Sequence, residues 1–162
     1  MSISSVLHSE LIDQLKLEFQ LGWNSIHGYN HWCRVRENGL FLAEGSNADV
    51  TVIELFAFLH DIKREDEGFD PQHGERAAAF VTSINKDILQ LEQPQLALLT
   101  EACFYHHKGV TKGPLTVQIC YDADRLDLAR VGIIPHPKYL CTNKAKQKKV
   151  IDWAVERSRA DW

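Results

Sequence analysis

The chain has 162 residues, 18 basic against 22 acidic, for a formal net charge of −4, and 44% of it is hydrophobic. That length supports one domain, residues 1–162, with a real core and no need of disulfides; the charge balance offers no basic field to a nucleic-acid backbone but leaves a nucleotide open as substrate. The four cysteines, Cys33, Cys103, Cys120 and Cys141, form no Cys-x-x-Cys pair, which argues against a zinc ribbon or a thioredoxin-type site; three read as buried thiols suited to a reducing cytoplasm.

Met1 to Glu10 lacks a basic flank and a long apolar core, so no signal peptide is expected there. No apolar run is long enough to span a bilayer. Val6, Leu7, Leu11, Leu15 and Phe19 fall at helical spacing and predict a first amphipathic helix over Ser5 to Phe19. Gly28 to Asn30 predict a turn and cap before His31, which opens a second helix through Trp32, Val35 and Leu42 to Gly45. Asn47 to Asp49 can cap a third helix, Val52 to Asp61, whose apolar residues demand burial on most of its circumference. This third helix is the element around which the others are arranged, and it delivers His60 and Asp61 side by side at its end.

Beyond Asp61 the chain turns abruptly polar. Lys63 to Pro71 reads as a charged loop of the kind that lines the mouth of a buried site. Asp70 and Pro71 predict the start of a fourth helix carrying His73, Arg76, Ala77 to Ala79, Phe80 and Val81. Asn85 to Gln93 reads as a short turn, and Pro94 starts a fifth helix ending on Tyr105, His106, His107 and Lys108. A sixth helix, Leu115 to Leu128, points Ile119 and Leu126 inward and holds Asp122, Asp124 and Asp127 around Arg125. Prolines 135 and 137 exclude a regular helix over Gly132 to Pro137. Lys144 to Arg159 predicts a terminal helix packing through Val150, Ile151, Trp153 and Val155. Strand-like alternation is nowhere sustained, so the expected class is all-α, a compact helical bundle.

Ligand-type residues recur at the ends of these helices: His31, His60, Asp61, His73, His106 or His107, and Asp124. Imidazole and carboxylate together suit Mn, Fe, Co, Ni or Zn, and the lack of thiolates argues against a purely structural zinc site. Two histidines and two aspartates on one ion leave positions for water and a substrate oxygen, as metal-assisted hydrolysis requires. The remaining histidines allow a second ion. Each residue also has a plainer reading: His31 as a cap, His73 as an exposed first-turn residue, His106 and His107 as charges favoured at a helix C-terminus. Asp122 and Asp127 read as solvated or paired with Arg125 or Arg130. His27 lies four residues before His31, but Gly28 interrupts any shared helix. His8 and His136 read as surface residues, and Trp23, Trp32, Trp153 and Trp162 as packing or interface residues.

The order His31, then His60 with Asp61, then Asp124 resembles the HD-domain phosphohydrolase superfamily, whose pattern is a His, a His-Asp doublet and a distant Asp. The string Ala123, Asp124, Arg125, Leu126 is similar to an Ala-Asp-Arg-Leu motif in many members, and the resemblance covers about residues 29–134. It implies an all-helical fold, divalent metal binding and hydrolysis of phosphate esters, in many members of nucleotides. His73 and His106, with His107 as a competitor, match by position the extra histidines of two-metal members, so one or two ions per chain are expected. Many members continue the doublet as His-Asp-Ile-Gly-Lys, whereas here Ile62, Lys63 and Arg64 follow.

The implied mechanism uses Asp61 to orient a metal-activated water and Lys63 or Arg64 to hold a phosphoryl oxygen, with Arg64 first choice. Lys108 and Arg125 are further substrate-binding candidates. The expected partner is a small phosphorylated metabolite, with no nucleic acid and no membrane, and homo-oligomerisation is left open. Two other readings stand beside the hydrolase: a non-catalytic metal- and nucleotide-binding sensor or partner module, and a di-iron oxygenase of the wider superfamily.

Overall fold

A computed structural model describes residues 5–160; Trp162 lies outside them. Among the described residues the structure is all-α with no strand. Seven helices follow in order: α1 (Ser9–Glu18), α2 (Tyr29–Ala43), α3 (Val50–Leu59), α4 (His73–Ile84), α5 (Gln93–Tyr105), α6 (Leu115–Arg125) and α7 (Lys148–Ala160). None of them is long and apolar enough to cross a membrane.

The hydrophobic density of α3 explains its place. Every residue from Val52 to Leu59 is buried, because α2, α5 and α6 all pack on it. The one acid in that run, Glu54, is satisfied by Arg36, 2.6 Å away. Asp49 caps α3, accepting from the Val52 amide at 3.1 Å, and its other oxygen accepts from Gln95 on α5. Its backbone amide donates to the Thr116 hydroxyl of α6. One cap therefore sets α3 against two of its neighbours, and the chain leaves α3 at His60 in the middle of the bundle.

Helices α2 and α3 approach closely at Gly39, where an added Cβ would stand 2.4 Å from Cγ2 of Ile53. Alanine would gain about 1 kcal/mol of helix propensity over glycine. Forcing a methyl into that contact costs about 1–3 kcal/mol. Gly39→Ala is therefore expected to destabilise on balance, lowering Tm by a few degrees for a chain of this size. A raised Tm in thermal denaturation would show that α2 and α3 can separate freely.

Several boundaries differ from the sequence expectation, each for a local reason. Helix α1 begins at Ser9 rather than Ser5, because the His8 ring accepts from the Leu11 amide and caps it. Helix α4 begins at His73, since the Asp70 carboxylate takes Arg76 and the Glu65 amide instead of capping at Pro71. Asn85–Leu89 forms a π-helical turn that ends at Gln90 in the left-handed region, φ 53°. Helix α6 stops at Arg125 and gives way to a 3-10 turn, Leu128–Val131, closed by Gly132 at φ 82°. Two of the four free cysteines, Cys103 and Cys120, are buried, while Cys33 and Cys141 are half-buried, one fewer buried thiol than expected.

Candidate metal centre

Four imidazoles converge because each is fixed by its inner nitrogen. His60 follows the last turn of α3, and its Nδ1 donates to the carbonyls of Phe56 and Ala57, both at 3.1 Å. His106 repeats the device after α5, with Nδ1 donating to Cys103 O at 2.7 Å. His73, at the start of α4, donates from Nδ1 to Asp70 O at 2.5 Å. In the first turn of α2, His31 Nδ1 lies 2.6 Å from Asp127 Oδ2. A carbonyl or carboxylate oxygen can only accept, so all four Nδ1 atoms carry hydrogen and all four Nε2 atoms are left to turn a lone pair inward.

Those Nε2 atoms meet in two pairs. His31 and His60 approach to 3.1 Å, and His73 and His106 to 2.9 Å. Between the pairs stands the Asp61 carboxylate. Its Oδ2 lies 3.8 Å from His31 and 3.6 Å from His60, while its Oδ1 lies 3.3 Å from His73 and 3.5 Å from His106. Asp124 Oδ1 completes the first pair at 3.4 Å from His31 and 3.6 Å from His60. Facing lone pairs at such distances repel unless a cation or proton sits between them. Ligands bound to one ion at about 2.0–2.1 Å stand roughly 3.0–3.5 Å apart, so the separations and the donor set both fit a divalent transition metal.

Protonation states agree with that fit. Burial pushes His60 down to about 3 and His73 down to about 4, leaving both neutral. Burial works against the charge of Asp61 and Asp124, yet the surrounding histidines hold both carboxylates well below their usual range. At His106 burial is outweighed by the Asp61 hydrogen bond and the two aspartate charges, so its pKa rises. A proton there relieves the same crowding that an ion would.

The structure thus brings together His31, His60, Asp61, Asp124, His73 and His106 from five helices or their ends. His107 does not reach Asp61 in the same way. Its ring lies beside His73, 4.4 Å between centroids, and its Nε2 donates to Pro71 O at 2.9 Å. It still brings a ring nitrogen within 4.8 Å of nitrogens of His73 and His106, and its Nδ1 is buried without a hydrogen-bond partner.

The basic candidates separate by placement. Lys63, expected to act on substrate, is ion-paired with Glu18 and stacked over Phe80, and is not among the residues lining the cavity that opens on the cluster. Successive side chains leave a helical turn in different directions, so Lys63 does not follow Asp61 inward. Lys108 pairs with Glu75 at 2.6 Å in a neighbouring groove. Arg125 lines the cavity, but its guanidinium donates to Tyr139 O at 2.9 Å and Val110 O at 2.6 Å, tying two loops to α6. Arg64 lines the cavity as well, 7% exposed, with one donor on Gly68 O and its buried Nε without an acceptor.

Two functional neighbours were not expected from sequence. His27 lies outside α2, yet its Nδ1 sits 2.9 Å from Asp61 Oδ2 and its Nε2 3.0 Å from Glu67 O, clipping the charged loop to the cluster. Asp127, read as solvated or paired with Arg125 or Arg130, is fully buried: besides His31 it accepts from Arg34 at 2.7 Å and from the Ser158 hydroxyl of α7 at 2.5 Å, with the Arg130 guanidinium 3.9 Å away. Asp122 is also fully buried, accepting from the Cys141 and Thr142 amides. The recurrence of acids three residues apart, Asp124 in the last turn of α6 and Asp127 in the turn that follows it, was the available signal, since residues at that spacing point to one side where the chain stays helical.

Asp127 fixes the His31 tautomer and ring plane. Asp127→Asn is expected to weaken metal binding by about 10–100-fold with the fold retained. A chelator-competition titration alongside circular dichroism measures both, and unaltered affinity would remove Asp127 from the site.

Fold and site together define the class: an all-α HD-domain fold around a histidine and aspartate cluster. A solved structure of a predicted HD superfamily hydrolase from an uncultured Thermotogales bacterium is similar to this chain, with TM-score 0.70 and 25% identity over 91% of this chain and 84% of that one. No protein-family model and no curated protein matches the chain.

Proposed function

We propose that this protein is a metal-dependent phosphohydrolase acting on a small phosphorylated metabolite, a nucleotide being the leading candidate. The observation that carries the reading is the division of Asp61, one oxygen toward His31 and His60, the other toward His73 and His106. That arrangement offers ligands for two ions. His31, His60, Asp61 and Asp124 would hold the first, and His73, His106 and Asp61 the second, with His107 in reserve. Bound there, divalent ions supply a water acidic enough to attack phosphorus at neutral pH and a counter-charge for a phosphoryl oxygen.

The chain's own residues do the rest. A carboxylate held as far below its usual range as Asp61 is a weak base, so Asp61 ligates and orients the water rather than taking its proton. His27, bonded to the same carboxylate, keeps it from rotating. Arg64 is the cation best placed for a phosphoryl oxygen, because Arg125 and Arg130 spend their donors on backbone carbonyls. The similarity to a predicted hydrolase supports the reaction class.

Hydrolysis of a panel of nucleoside mono-, di- and polyphosphates, with Mn, Co, Ni, Fe or Zn added, tests the proposal. Metal-dependent release of phosphate or nucleotide is expected. Binding without turnover would favour the sensor reading, and oxygen uptake with reduced iron the oxygenase reading, which uses the same ligand set.

A further inference from the structure

The cavity above the cluster has a volume of about 420 Å³, room for one small molecule. Its two ends differ in chemistry. The cluster side brings Asp61, His73, His106, Asp124, Arg64 and Arg125, whereas the 128–140 segment brings a wall of Leu128, Ile133, Ile134, Pro135, Tyr139 and Leu140, with Arg130 and His136 its polar members. Ile133, Ile134 and Tyr139, all lining this cavity, leave 53%, 52% and 60% of their surface exposed. Apolar side chains left this open within one short segment call for a ligand to cover them.

The wall is held in place. Gly132 in the left-handed region turns the chain out of the 3-10 helix, with Ile133 N donating back to Leu128 O at 3.2 Å. Pro135 and Pro137 restrict the backbone beyond it. Arg125 binds Tyr139 O, and Leu140 N donates to Pro137 O at 3.2 Å. Arg125 therefore orders the apolar wall while standing beside the metal ligand Asp124. On this wall the polar side-chain atoms are the Tyr139 hydroxyl and the ring of His136, whose Nδ1 already accepts from the Lys138 amide. Beyond that hydroxyl and the His136 Nε2, the wall presents apolar surface.

We infer that residues 133–139 form the specificity wall of the site, selecting phosphate monoesters whose organic part presents an apolar or aromatic face, a nucleobase included, and recognising that face chiefly by burial. This rests on the phosphoester reading of the same cavity. It places the anionic group at the cluster and Arg64 and the apolar body against Ile133, Ile134 and Tyr139. Polyols such as sugar phosphates fit poorly, because their hydroxyls would lose water against this wall without gaining partners.

Equilibrium binding of phenylphosphonate and methylphosphonate to the Mn-loaded full chain, by calorimetry, tests the wall separately from turnover. Covering about 60 Å² of apolar surface corresponds to roughly tenfold in affinity, so the wild type is expected to prefer the phenyl compound by about that factor. In Ile133→Ser/Ile134→Ser, and independently in Tyr139→Ala, the ratio should fall toward one. Equal affinities in the wild type, no binding of either compound, or a preference retained in both variants would overturn the inference. Phenyl phosphate hydrolysis is measured in parallel. Preference without hydrolysis would support the wall while sinking the hydrolase reading, and hydrolysis without preference would do the reverse.

Discussion

Asp61→Ala is expected to lower phosphoester hydrolysis by at least about a thousandfold, equivalent to roughly 4 kcal/mol of transition-state stabilisation. The reason is its double engagement. Its two oxygens face two different histidine pairs, so one substitution strips a ligand from both halves of the cluster. It also removes the partner of His27, freeing the loop that His27 clips through Glu67. His73→Ala disturbs mainly the second half and Asp124→Ala mainly the first. Metal content and kcat measured on all three variants should order them, with Asp61→Ala losing both ions and each of the others losing mainly one. A variant at Asp61 that keeps its metal and its turnover would refute the shared-carboxylate arrangement.

Metal binding should itself add substantially to the stability of this fold. Without a cation, Nε2 atoms 3.1 Å and 2.9 Å apart oppose each other inside the bundle, beside the buried Asp61 and half-buried Asp124 carboxylates. An ion satisfies them all at once. A ligand present at a thousand times its dissociation constant stabilises by about 4 kcal/mol per site. For a chain of this length that corresponds to a rise in Tm of roughly 10 °C per ion. Metal analysis of protein purified without chelator is expected to give two ions per chain, and EDTA treatment to lower Tm in two steps. One ion and one step would demote His73 and His106, and no effect of any of Mn, Fe, Co, Ni or Zn would sink the metal reading.

Much of the cluster is legible in the amino-acid sequence because its residues mark helix ends. His60 and Asp61 end a run too apolar to lie anywhere but the centre, and a further helix ends on His106 and His107, between which the sequence left the choice open. Asp127 and His27 are not legible in the same way. Asp127 is one more acid in an acidic stretch until Arg34 and Ser158, 93 and 31 residues away, close around it. His27 sits in a loop whose direction is set by Gly28, where an added Cβ would lie 2.2 Å from Trp23 O. The misplacement of Lys63 has a similar origin: adjacency to Asp61 along the chain says nothing about which way successive side chains leave a helix end.

The amino-acid sequence by itself determined the helical class, the buried central helix and the helix ends at which the candidate histidines and aspartates stand. Those follow from periodicity, capping residues and hydrophobic density, all of which act over a few turns of chain. Tertiary structure alone decided that Asp61 faces two histidine pairs, that Arg125 braces a wall while Arg64 keeps a donor free, and that the 133–139 segment stands over the cluster. Each of these depends on the relative rotation of helices far apart in sequence. That rotation is set by contacts such as Gly39 against Ile53 and Asp127 against Ser158, where packing between helices rather than local preference fixes the direction of a side chain.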